Sequence, residues 1–174
     1  MKTKDITLTA LFAAILAVTA PLSIQISTQV PISMATLIVM LTGAILGAKR
    51  GTIAVAVYIL LGAVGFPVFA QWTSGIGILF GVTGGFIFGY IPLVLTVGLM
   101  YEKKRTGRSL IAGMITGNFL LYMLGTVYFM IYTSLSFKQA LAACVIPFLP
   151  GDAAKMVIVY LLAPRIMQRL RTGA

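Results

Sequence analysis

The chain has 174 residues, 60% of them hydrophobic and only 9% charged, with a net charge of +10. A soluble domain of this length needs far more charge on its surface, so the composition reads as one polytopic membrane domain, residues 1–174, surrounded by membrane lipid. The bases fall in short clusters between apolar runs, with no aromatic interleaving and no basic face, which argues against a nucleic-acid partner.

A helix needs about 20 apolar residues to cross a ~30 Å hydrocarbon layer. The first candidate runs from Ile6 to Gln25. Its lysines and apolar core imitate a secretory signal. Pro21 would directly follow the best cleavage point at Ala20, so the segment is expected to stay as a first span. A polar stretch, SIQISTQVP, follows. The apolar block from Met34 to Phe66 is cut by Lys49 and Arg50 beside Gly47 and Gly51. That predicts two short spans joined by a tight turn, which rely on flanking residues or local thinning. After a longer connection, PVFAQWTSGIGILFGV, come spans four (Thr83 to Tyr101), five (Ser109 to Tyr132) and six (Pro147 to Leu170). The predicted fold class is an all-α integral membrane protein with six transmembrane helices.

Charge sets the orientation. With both termini in the cytoplasm, Lys2, Lys4, Lys49, Arg50, Lys103, Lys104, Arg105, Arg108, Arg165, Arg169 and Arg171 all lie on the cytoplasmic side. Lys138 lies outside and Lys155 falls within a span. The bias supports the span count and a place in the cell membrane. It also accounts for the basic balance.

Small residues recur at close spacing: Gly43 and Gly47 in span two, Gly81, Gly85 and Gly89 around span four, Gly113 and Gly117 in span five. Such faces let helices approach closely in lipid, so they are expected inside the bundle. Ala10, Ala14 and Ala17 share a face of span one that could instead meet another protein.

Much chemistry is missing. The acids are Asp5, Glu102 and Asp152, and there is no histidine for base catalysis or metal ligation. No Walker A motif offers a route to ATP hydrolysis. No enzyme activity, cofactor or metal is expected. Cys144, the sole cysteine, cannot form an internal disulfide.

Asp152 and Lys155 head the apolar run PFLPGDAAKMVIVYLLAPR. Counted from Arg165 at 1.5 Å per residue, they lie about 20 and 15 Å deep, in the outer half of the hydrocarbon layer. A charge there costs about 2.5–3.5 kcal/mol on insertion scales. Spacing of three puts both side chains on one helical face, with Phe148, Met156 and Val159. Pro150 and Gly151 suit a helix start, where the aspartate has a favourable dipole sign. Either the pair is structural, as an intrahelical bridge or an outward-snorkelling lysine, or it serves a polar ligand in an outward-facing cavity. Asn118, Tyr122, Gly125, Phe129 and Tyr132 share one face of span five. They offer either a facing pocket wall or an interhelical hydrogen bond with an aromatic belt. Phe69, Gln71, Trp72 and Thr73 could cap such a pocket, and Trp72 equally suits an interfacial anchor.

The stretches VPISMATLIVMLTGAILGAKRG, YILLGAVGFPVF, SGIGILFGVTGGFIFGY, Gly117–Asn118 and PFLPGDAAK, in this order and spacing, resemble the BioY family. These are the biotin-capturing membrane subunits of energy-coupling-factor (ECF) transporters. The chain departs from the family pattern at Val82, where proline is usual. The resemblance implies a six-helix S component that binds biotin from the outer face. It implies a transmembrane coupling protein and two cytoplasmic ATPase subunits as partners, with Ala10, Ala14 and Ala17 against the coupling protein. By position, Asp152 is implied to accept from the ureido N–H groups of biotin, and Lys155 to donate to its ureido oxygen or its carboxylate. Asn118, Tyr122 and Gln71 are further expected contacts. The competing readings are an S component for another vitamin, or a membrane scaffold in which the Asp–Lys pair is structural.

Overall fold

A computed structural model describes residues 3–24 and 32–172. Helix α1 spans Thr3–Thr19 and is followed by two-residue strands β1 (Ser23–Ile24) and β2 (Ile32–Ser33). Then come α2 (Ala35–Ala63), a 3-10 turn at Ala70–Trp72, and the short α3 (Ile76–Leu79). Helices α4 (Gly84–Lys104), α5 (Gly107–Thr133), α6 (Phe137–Cys144) and α7 (Leu149–Thr172) complete the chain. The architecture is helical, as expected, apart from the small antiparallel ladder that pairs Ser23 with Ser33 and Ile24 with Ile32.

Among the described residues, three helices are individually long and apolar enough to cross a membrane: Ala35–Ala63, Gly84–Lys104 and Gly107–Thr133. A fourth candidate is the α6–α7 pair, bent by 48° at its break. The first expected span is shorter than predicted. It ends at Thr19 because Pro21 has no N–H to continue the ladder and disfavours helical backbone at the residue before it. Its expected end, Gln25, lies outside the described residues.

Helix α2 is interrupted at Gly47, whose φ of 78° and ψ of −178° leave the helical region. A Cβ built on Gly51 would lie 3.4 Å from the Cα of Gly43. In an unbroken helix, residues eight apart are separated by about 12 Å. The chain therefore reverses at Gly47 into two arms, 35–46 and 48–63, joined by the tight turn that the Gly/Lys/Arg cluster predicts. Glycine tolerates this positive φ, and a side chain there would also collide with the carboxylate of Glu102.

The glycine faces pack inside the bundle. Gly43 lies against the backbone of Val94, Gly98 against Ala48, and Gly85 and Gly89 against α5 at Tyr128 and Leu121. On α1 the buried face is Thr9, Phe12, Ala13 and Leu16. Ala10 and Ala14 are exposed, so that part of the alanine face is turned away from the chain's own core, whereas Ala17 is half-buried and packs against it.

Helix α6 falls where the sequence reads as an outer loop. Its start is fixed by a capping box in which Ser136 N–H donates to Gln139 Oε1 at 3.0 Å. The S-x-x-Q pattern is the sequence signal that could have revealed it.

Candidate functional site

Asp152 lies in the first turn of α7. Pro150 sits beside it, where an absent N–H costs no helical bond. Lys155 follows on the same face, and its Nζ is 2.9 Å from Asp152 Oδ1. Their side chains are only 5% and 8% exposed. A buried pair of this kind holds only if its remaining donors and lone pairs are used.

Here they are used. Lys155 Nζ donates to Ser33 O at 2.7 Å, to Thr36 Oγ1 at 2.8 Å and to Asp152 Oδ1. That accounts for the three donors of an ammonium. The Thr36 hydroxyl donates in turn to Asp152 Oδ1 at 3.1 Å. The hydroxyl of Tyr122 donates to the other carboxylate oxygen, Oδ2. The network joins the start of α2, the middle of α5 and the start of α7 at one point. Neither Ser33 nor Thr36 stands out in the sequence. They are the polar pair, three apart, at the head of the apolar run that begins SMATLIV.

These groups form the polar end of a cavity of about 390 Å³. The walls are largely apolar and aromatic, with Tyr58, Phe86, Ile87, Tyr90, Leu121 and Phe148 among them. Tyr58 packs edge-on against Phe69 (centroids 5.7 Å, 82°) and lies 6.5 Å from Tyr90. The loop Ala70–Thr73 is also part of the lining, through Ala70, Gln71 and Thr73. It is tied down by Gln71 N–H, which is shared between Pro21 O and Ser23 Oγ, both at 3.1 Å. Gln71 and Trp72 both adopt left-handed backbone there, with φ of 58° and 60°. The volume and lining fit a small ligand with one polar end.

Asp152, Lys155, Tyr122 and Gln71 thus border a single cavity. Asn118 does not. It lies one helical turn along α5 from Tyr122, buried, with its amide donating to Met114 O at 3.0 Å and Met40 Sδ at 3.3 Å. The expected face of span five is divided by depth: Tyr122 reaches the cavity, whereas Asn118 bonds its own helix and α2. Trp72 is 60% exposed and is not part of the lining, which fits an interfacial position and not a cap.

A multi-pass helical membrane protein built around a ligand-sized cavity, with a neutralised ion pair at its polar end, is the class that fold and site define. The chain belongs to the BioY family, whose sequence profile matches residues 1–172. It is 36% identical to the biotin transporter BioY of Thermotoga maritima, over 90% of this chain and 91% of that protein. It is also 36% identical to the biotin transporter BioY of Rhodobacter capsulatus, over 95% and 94%. The fold superposes with a TM-score of 0.88 on the crystal structure of the S-component for biotin from an ECF-type ABC transporter. That match covers 96% of this chain and 92% of the other, at 23% identity, and establishes the fold.

Proposed function

We propose that this chain is the biotin-capturing S component of an ECF-type importer in the cell membrane, and that it acts without catalysis or cofactor of its own. The observation that carries the reading is the buried Asp152–Lys155 pair at the polar end of the cavity, in a member of the BioY family. Biotin has a ureido ring with two N–H donors and one carbonyl, fused to an apolar sulfur-containing ring whose hydrocarbon chain ends in a carboxylate. Asp152 is suited to accept from the N–H groups, and the aromatic walls suit the rest. With its three donors already engaged, Lys155 reaches the ligand by exchanging a bond to Ser33 or Thr36 for one to the ureido oxygen or the carboxylate. Tyr122 and Gln71 complete the contacts, and Asn118 ties α5 to Met40 of α2.

The topology proposed is a single domain, 1–174, of six passes with both termini cytoplasmic. The reversal at Gly47 supports it by turning α2 into two passes. So does the gathering of Lys4, Asp5, Arg50 and Arg105 around one cleft, remote from the cavity in the bundle. The positive-inside bias assigns that end to the cytoplasm. The proposed partners are a transmembrane coupling protein, met through Ala10, Ala14 and Ala17, and two cytoplasmic ATPase subunits.

Equilibrium binding of biotin and a panel of other vitamins to the purified protein tests the ligand. Selective, tight binding of biotin is expected. Preference for another vitamin would change the ligand, and no binding at all would favour a scaffold. The interface has its own test. Ala14→Trp is expected to leave biotin binding within twofold of the parent while abolishing co-purification with the coupling protein and uptake in cells. Normal assembly and transport in that variant would remove the alanine face from the interface.

A further inference from the structure

A second cleft, of about 230 Å³, lies at the basic end of the bundle, where α1, the α2 turn, the α4–α5 connection and α7 meet. Among the described residues, three cations line it, Lys4, Arg50 and Arg105, against one carboxylate, Asp5. Asp5 is ion-paired with Arg50 Nη1, and Arg50 Nε also donates to Leu46 O at 3.1 Å, which fixes that guanidinium in place. Arg105 is set by the end of α4: it caps the helix in left-handed backbone, with φ of 46°. The rest of the lining is apolar: Leu8, Ile45, Leu46, Met167 and Leu170.

This combination differs from a scatter of inside-positive charges. The cations are drawn from three separate parts of the chain into one concavity, and they share it with an apolar wall. Guanidinium forks match phosphate oxygens, and basic pockets between helices near the membrane surface suit anionic headgroups. A free phosphate would use the cations alone. The apolar wall gives a use only to a ligand whose phosphate is joined to a hydrocarbon body. We propose that this cleft holds the phosphate headgroup of an anionic phospholipid, with the glycerol and first methylenes against Leu8, Met167 and Leu170. The leaflet follows from the orientation proposed above, whereas the site itself does not depend on it or on the ligand of the large cavity.

The test uses the purified full chain in neutral detergent, titrated with a fluorescent phosphatidylglycerol and with its phosphatidylcholine counterpart. Phosphatidylglycerol is expected to bind at least tenfold more tightly. The double variant Lys4→Gln/Arg105→Gln should reduce that preference to within twofold, with biotin binding unchanged as the check on folding. Asp5→Asn, which removes the competing carboxylate, should strengthen phosphatidylglycerol binding. Inorganic phosphate, added at the same concentration as the lipid, should not displace it. Equal binding of the two lipids by the parent protein would overturn the proposal, as would a preference that survives the double variant. Displacement by inorganic phosphate would overturn the lipid assignment in favour of a free-phosphate site.

Discussion

Replacing Asp152 with asparagine is expected to weaken biotin binding at least tenfold and to lower thermal stability in the same protein. The carboxylate accepts from Lys155, Thr36 and Tyr122, and both members of the ion pair are almost fully buried. Asparagine keeps the shape but loses the charge and replaces one acceptor with an NH₂ donor. That donor must face either the Lys155–Thr36 side or the Tyr122 hydroxyl, and both sides already donate. A hydrogen bond to a charged group contributes about 1.5–3 kcal/mol, and each 1.4 kcal/mol is tenfold in affinity. The cost in stability is larger, because Lys155 is left buried without its counter-charge. Breaking such a pair typically costs about 3–5 kcal/mol. The two effects separate in the double variant Asp152→Asn/Lys155→Met, which should recover much of the stability and none of the affinity. Equilibrium biotin binding and thermal unfolding, measured on the same preparations, decide the matter. Parental affinity in Asp152→Asn would end the assignment of Asp152 as the ureido acceptor.

Gly98→Leu is expected to produce the largest structural defect. A Cβ at Gly98 would overlap the backbone N of Ala48 and lie 2.5 Å from its Cα. Backbone cannot swing aside as a side chain can, so α4 must separate from the turn of α2. Overpacking a tight contact costs about 1–3 kcal/mol, occasionally more, and helices in lipid depend on such close approaches for their association. Loss of monodisperse protein on size-exclusion chromatography and a marked fall in unfolding temperature should follow. Gly77→Ala serves as the control, since a Cβ there meets nothing within 4 Å. A parental melting temperature in Gly98→Leu would show that the α2–α4 contact is not tight.

The sequence is most informative where local chemistry is unusual. Two charges in an apolar run identify the polar end of the cavity, and Gly47 beside Lys49 and Arg50 identifies a reversal of the chain. It is least informative where distant segments decide the outcome. Ser33 and Thr36 become partners of Lys155 only because α2 and α7, more than a hundred residues apart, start side by side. Asn118 and Tyr122 share a helical face, yet only Tyr122 reaches the cavity, because a face specifies direction and not depth. The early end of α1 and the presence of α6 depend on Pro21 and on a Ser136–Gln139 cap. Counting apolar residues along the chain passes over single-residue signals of this kind.

The saturation of Lys155 has a consequence for how a ligand arrives. Apart from Asp152 and Lys155, every described residue lining the large cavity is uncharged. The two opposite charges sit 2.9 Å apart, so their fields largely cancel beyond the cavity mouth. An approaching molecule therefore meets a small local dipole and not an ion, and is neither drawn in nor turned away at long range by this site. Discrimination begins only on contact, once water has left and a ligand group that engages Lys155 must replace a bond that the protein already makes with itself.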